Sequence, residues 1–169
     1  MEIVIAAVDV DDVIASGLVA ALDADLMRRY PGEPTNGVEP EEFREAGGYF
    51  LLARRGCEAV GCGAFRPIDA RTVEIKRMFV DPRCRGRGIA RAVLDGLEAE
   101  ARRRGYVRSI LETGVRQPEA IALYRGAGYV AIEPFGPYVG SPLSVCFGKD
   151  LAPADRAPAN PRADAGASP

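Results

Sequence analysis

A chain of 169 residues, 47% of them hydrophobic and 27% charged, holds enough apolar material for one globular domain with a real core. Its formal net charge of −2 argues against a general polyanion binder, and the absence of histidine excludes mechanisms that need a histidine base. The four cysteines (Cys57, Cys62, Cys84, Cys146) form no Cys-x-x-Cys pair, so no metal is expected.

In chain order, Ile3 to Val8 reads as a first strand. Asp11 or Asp12 can cap a helix running to about Arg29, with Val13, Leu18, Leu22 and Leu26 as its apolar stripe. The N-terminus has no basic region before its short apolar run, and no stretch approaches the roughly 20 apolar residues of a membrane span. The expected location is the cytoplasm. Pro31 to Pro34 stops the helix, and a polar, acidic segment from Thr35 to Gly48 follows, with one short helical turn in Glu39 to Arg44. Tyr49–Ala53 and Ala59–Phe65 read as strands of a hairpin turning at Arg55-Gly56. Gly61 and Gly63 bare one face of the second strand, for another backbone or for a bulge.

Val73 to Val80 is the next strand, and Asp81-Pro82 leads into Arg83-Cys-Arg-Gly-Arg-Gly88. A helix then starts, its face marked by Ile89, Val93, Leu94, Leu97 and Ala101, with Gly105 as its stop. A strand, a glycine turn and a helix start together aim several N–H groups at one point, where an anion is favoured. Between Lys76 and Arg108 ten basic residues face four acidic ones, which strengthens that reading. An ordinary β-to-α connection is the alternative. Arg108–Thr113 is a further strand, Pro118 opens a short helix carrying Ala120, Ile121 and Tyr124, and Tyr129–Ile132 and Leu143–Lys149 are the last strands. Between these two lies a rigid aromatic loop, Pro134 to Pro142. From Ala152 onward the composition has nothing to bury, so residues 1–151 form the domain and residues 152–169 a disordered tail. The order of elements gives a mixed α/β domain, an antiparallel half feeding a parallel crossover.

Two runs carry a family likeness. Met78 to Ala90, with Arg83, Gly86 and Gly88 at Arg/Gln-x-x-Gly-x-Gly/Ala spacing, resembles the acetyl-coenzyme-A motif of the GNAT N-acetyltransferase superfamily. Gln117 to Tyr129 resembles its Asn-x-x-Ala-x-x-x-Tyr-x-x-x-Gly-Phe/Tyr stretch. The likeness spans at least residues 48 to 150, and the wording around Glu74, Leu111 and Gln117 is similar to a bacterial branch with no single agreed substrate. It implies a GNAT fold, a mixed central sheet with a parallel pair around the cofactor, flanked by helices.

The resemblance also implies roles. Backbone N–H groups from Arg83, Cys84, Arg85, Gly86, Arg87, Gly88, Ile89 and Ala90 would cradle the coenzyme A pyrophosphate. Met78, Phe79 and Val80 would pair with the pantetheine arm, one N–H at Met78 or Phe79 facing the thioester oxygen. Tyr124 stands at the position of the general acid that protonates the leaving thiolate; without the motif it would read as a packed tyrosine. Glu74 matches the base position, with a strand pair to Lys76 or to the neighbouring strand as the competing reading. Glu112 is the other carboxylate, for base or for binding the substrate ammonium. Gln117 departs from the usual Asn, which puts one cofactor contact in doubt.

The expected activity is transfer of acetyl from acetyl-CoA to a primary amine, by direct attack in a ternary complex. The expected acceptor is a small molecule, met by Tyr30, Glu112, Phe135 and Tyr138. No nucleic acid and no membrane partner is expected, and a homodimer is allowed. The alternatives are a coenzyme-A-binding regulatory module without catalysis and an acetyltransferase of protein lysines or N-termini. A P-loop is excluded because Gly88 is followed by Ile89-Ala90 rather than Lys-Ser/Thr.

Overall fold

The computed structural model describes residues 2–34 and 40–151. The expected tail, and residues 35–39 of the acidic segment, lie outside the described residues. The elements are β1 (Ile3–Val8), α1 (Val13–Arg29), α2 (Pro40–Glu45), β2 (Tyr49–Arg55), β3 (Glu58–Pro67) and β4 (Thr72–Val80), followed by α3 (Ile89–Arg103), β5 (Arg108–Gly114), α4 (Pro118–Gly126), β6 (Val130–Ala131) and β7 (Ser144–Asp150). Short 3-10 turns occupy Pro82–Cys84 and Gly136–Tyr138. The seven strands form one sheet in the order β1-β2-β3-β4-β5-β7-β6, in which β4 and β5 are parallel and every other pair is antiparallel. This is the expected GNAT architecture.

Alternation along the strands sorts the core into two layers. Leu51, Ala53, Val73 and Ile75 pack with Val93, Leu94 and Leu97 of α3 and Tyr124 of α4. Phe50, Leu52, Cys62 and Phe79 point the other way, onto Ala15, Leu18 and Leu22 of α1 and Phe43 of α2. Leu94 and Leu97 have no exposed surface, and burying each contributes about 1.5–3 kcal/mol. Asp12 is the cap of α1, its carboxylate accepting the N–H groups of Ile14 and Ala15 at 2.8 and 3.0 Å. The stripe of α1 differs from the expected one at its first residue. Val13 is 85% exposed and Ala15 takes the inward place, because the cap orients the first turn and the sheet is met one residue pair later. The expected strand Tyr129–Ile132 is cut to two residues at the sheet edge.

Two features of β4 shape the site. Its pairing with β5 covers only Thr72–Ile75 against Arg108–Leu111, so the strands part company beyond Ile75 and Leu111. Opposite β3, the register shifts between Cys62 and Ala64, which face Phe79 and Lys76. One extra residue is therefore held in β4, and Arg77 takes a left-handed φ of 58°. The bulge reverses the alternation. Glu74 and Lys76 share one side with Arg77, whose guanidinium reaches Asp23 of α1 at 2.8 Å, whereas Met78 turns to the α3 side. Gly63 lies opposite, where a Cβ would collide with Met78 Sδ and Val93 Cγ1, so the bare face expected of β3 admits the bulged strand.

Candidate active site

Where β4 and β5 separate, a cavity of about 630 Å³ opens. Its walls come from the end of α1, the second half of β4, the turn before α3, the end of β5, the start of α4 and the loop before β7. Among the residues singled out from sequence, Tyr30, Glu74, Met78, Phe79, Val80, Cys84, Arg85, Gly86, Gly88, Ile89, Ala90, Glu112, Gln117, Tyr124 and Tyr138 line it. Arg83, Arg87 and Phe135 are not among its lining residues. Arg83 instead folds back onto Asp81 and Glu58, and Phe135 stacks edge-on against Tyr138 with ring centroids 5.3 Å apart.

The turn is built by local chemistry. Pro82 starts the 3-10 turn, and Asp81 caps it by accepting the N–H of Arg83 at 2.8 Å. Cys84 N–H goes to the Asp81 carbonyl, so the donors of Arg83 and Cys84 are used inside the turn. Gly86 and Gly88 follow with φ of 74° and 77°, a conformation that costs any L side chain about 1–2 kcal/mol. Gly88 precedes α3 without any side-chain cap, and the first bond into the helix is Ala92 N–H to Gly88 O. The N–H groups that open α3, from Ile89 to Arg91, have no acceptor within the helix. This cluster of donors begins later than the sequence suggests, at Gly86 rather than Arg83. Arg85 crosses the turn, donating through Nε to Val80 O at 3.0 Å and lying 3.5 Å from Asp25 and 3.9 Å from Glu119.

On the far side, three titratable groups converge. Glu74, only 1% exposed, accepts from Arg66 Nε at 2.8 Å, from the Tyr138 hydroxyl at 3.0 Å and from Lys76 Nζ at 3.4 Å. Lys76 also donates to the Tyr138 hydroxyl at 2.9 Å and lies 5.6 Å over its ring. The cross-strand and i, i+2 pairs of Glu74 are thus both present, but in a buried place rather than at the surface. Burial and then the Arg66 guanidinium pull the Lys76 ammonium below its ordinary range, against the raising pull of Glu74. Burial, with the Glu74 carboxylate behind it, pushes the Tyr138 phenol up.

Glu112 projects from β5 toward the same space. Burial pushes its carboxyl above the usual range, the nearby Glu74 adds to the rise, and Ser144 and Lys76 oppose it. Tyr124, on α4, is held between Tyr129 (5.9 Å, edge-on) and Phe147 (6.4 Å). Burial, then the charge of Glu112, drives its phenol well above its ordinary range, so it is a protonated donor at neutral pH. The Cys62 thiol is pushed up to about 12 by burial, and burial also raises Cys146, which leaves both as poor nucleophiles. Among the described residues no group of three His, Cys, Asp or Glu side chains could hold a metal ion.

Several lining residues were not singled out from sequence. The i, i+2 spacing on one strand face gives Lys76 as a partner of Glu74, but not as a lining residue. Asp25, Glu119, Ser141 and Ser144 carried no local signal. The end of α1 is strapped to the β5–α4 turn by Arg29 and Glu119, by reciprocal bonds between the Arg29 and Arg116 side chains and carbonyls (3.1 and 2.8 Å), and by Arg116 N–H to the Tyr30 hydroxyl at 2.8 Å. Gly114 N–H donates to the Gln117 amide oxygen at 3.1 Å, closing the turn between them.

Comparison with known proteins agrees with this geometry. The model of the acetyltransferase (GNAT) family matches residues 19–129. An IAA acetyltransferase of Azospirillum brasilense is 42% identical over 135 residues, 79% of this chain and 88% of that protein. The crystal structure of an acyl-CoA N-acyltransferase from Klebsiella pneumoniae superposes with a TM-score of 0.75 at 35% identity, covering 89% of this chain and 98% of that one. The fold is also shared with a Thermoplasma acidophilum PaiA N-acetyltransferase in complex with coenzyme A, at a TM-score of 0.69 and 15% identity over 89% and 99% of the two chains. With its motif turn, split sheet and sequence relatives in agreement, the chain belongs to the acetyltransferase (GNAT) family.

Proposed function

We propose that the chain transfers acetyl from acetyl-CoA to the primary amine of a small molecule, by direct attack within a ternary complex. The observation that carries this reading is that Tyr124 and Glu112 line the same cavity as the donor-rich Gly86–Ala90 turn. The turn binds the pyrophosphate, and the edge of β4 that β5 leaves open at Met78–Val80 takes the pantetheine arm, with an N–H at Met78 or Phe79 on the thioester oxygen.

Glu112 takes a proton from the ammonium. The freed amine attacks the thioester carbon, a C–N bond forms and negative charge gathers on the oxygen. The C–S bond then breaks, the thiolate takes the Tyr124 proton, and Tyr124 recovers one from the new amide nitrogen through solvent. Glu112 suits the base better than Glu74 for a physical reason. Its carboxyl is raised by burial, whereas both oxygens of Glu74 are engaged by Arg66, Lys76 and Tyr138. Glu74 then orients Lys76 and Tyr138. Cytoplasmic location belongs with this reading, since the cosubstrate is an intracellular metabolite; among the described residues no helix is long and apolar enough to cross a membrane.

The test is acetyl-CoA-dependent thiol release over an amine panel, with Tyr124→Phe and Glu112→Gln beside the wild type. Each substitution should lower kcat by about 10²–10⁴-fold, and an unchanged rate sinks the role assigned to that residue. Saturating acetyl-CoA at about 100 times Kd should add about 2.7 kcal/mol of stability. A missing thermal shift at millimolar cofactor would count against the cosubstrate itself.

A further inference from the structure

The acceptor end of the cavity places a buried ammonium and a carboxylate on one wall, from neighbouring strands. Lys76 stands on β4 with a side chain 9% exposed, and Glu112 on β5. Both line the cavity, and the charge of Lys76 acts on Glu112. An ammonium has three donors. Tyr138 takes one at 2.9 Å and Glu74 a longer one at 3.4 Å, while Glu74's closer ion partner is Arg66 at 2.8 Å. Lys76 therefore keeps hydrogen-bonding capacity at a site where an unmet charge is costly.

Resting on the function proposed above, we propose that the acceptor is an amino acid or a close relative, with Glu112 receiving its ammonium and Lys76 its carboxylate. Acetylation then yields an N-acetylamino acid and free coenzyme A thiol. The surrounding charges narrow the anion. Glu74 and Glu112 both lie near, so a single-charge carboxylate is tolerated where a phosphate dianion would be repelled. They also narrow the amine. A polyamine or a polycationic sugar would set a second positive charge beside Lys76. Leu22 and Leu26 of α1 and Pro137 and Leu143 of the loop before β7 complete the walls, which suits an apolar side chain on the acceptor.

The experiment compares acids with their own carboxamides. The wild-type enzyme is given acetyl-CoA with each of the proteinogenic L-amino acids, β-alanine and 4-aminobutyrate, each beside its carboxamide, and with simple alkylamines. An α-carboxamide has the less basic amine, hence more free base at neutral pH, so chemistry alone favours the amide. At least one acid should be turned over with a kcat/KM about tenfold above its amide, which amounts to about 1.4 kcal/mol. In Lys76→Gln that ratio should fall toward one, chiefly through KM, and Lys76→Arg should recover part of it. If amides or alkylamines are acetylated and acids are not, the acceptor class falls and the transferase reading stands. An acid-to-amide ratio unmoved in Lys76→Gln removes Lys76 from the site. No thiol release with any amine overturns both readings.

Discussion

The molecule contains the same four side-chain types twice, and uses them differently. On the α3 face, Glu98 (2% exposed) receives Lys149 at 2.7 and 2.8 Å and Arg102 at 2.9 Å, with Tyr129 beside it and Lys149 5.5 Å over the Tyr129 ring. On the α1 face, Glu74 receives Arg66, Lys76 and Tyr138, with Lys76 5.6 Å over the Tyr138 ring. The Glu98 cluster is tight and lies away from the cavity, while the Glu74 cluster is looser and forms part of its wall. Composition is therefore a poor guide to role. What differs is whether the ammonium is fully spent on its carboxylate, and that depends on the split between β4 and β5. The Glu98 cluster fastens α3 to β7. The Glu74 cluster leaves a cation on the cavity wall.

This contrast can be broken experimentally. The largest effect on stability is expected in the closed cluster: Lys149→Met removes both short bonds that Glu98 receives from the ammonium and should cost about 3 kcal/mol, read by urea unfolding. Lys76→Met should cost less in the same assay, because Glu74 loses only a 3.4 Å contact and keeps Arg66 at 2.8 Å and Tyr138 at 3.0 Å. Equal losses would dissolve the distinction drawn between the clusters.

Glu112 offers the next test, with opposite signs on activity and stability. Its folded-state pKa is raised, so the native state holds that proton more tightly than the unfolded chain. Its contribution to stability is thus full below the ordinary carboxylate range and is lost as pH rises through the elevated value. Glu112→Gln should therefore be slightly more stable than wild type at pH 7, equal to it near pH 4, and nearly inactive. For the wild type, the acid limb of kcat against pH should sit above the ordinary carboxylate range. A variant less stable at pH 7, or an acid limb at an ordinary carboxylate value, would contradict the assignment. A last test falls on the turn before α3. Gly88→Ala meets no atom within 4 Å but must hold a φ of 77°, costing about 1–2 kcal/mol in thermal melts. That loss is expected alongside a higher KM for acetyl-CoA.

Much of this was legible without coordinates where the information is local. The Asp12 cap, Pro118 in the first turn of α4 and the paired glycines before α3 each act within a few residues, so pattern and turn chemistry suffice. Val13 faces solvent despite its helical spacing, because helix period alone does not say where the sheet begins to cover the helix. β6 is shorter than the expected Tyr129–Ile132 because edge strands end where pairing ends, and pairing is not written in one strand. In the site, Gly86, Gly88 and Tyr124 came from motif spacing. For Lys76 the sequence shows a pair with Glu74 but not a place on the cavity wall, because its setting depends on a tyrosine 62 positions away.

By itself, then, the sequence determined the elements, the glycine turn and the family, because these rest on short-range sterics, capping and spacing. Tertiary structure alone decided which carboxylate is spent and which is available. It placed Tyr138 against Glu74, 64 residues apart, and strapped the end of α1 over Arg116, 87 residues from Arg29. It also put an extra residue into β4 at Arg77, so that Glu74 and Lys76 face one side and Met78 the other. Such contacts depend on how distant strands and loops converge, and the charge of a buried group follows from what surrounds it in space.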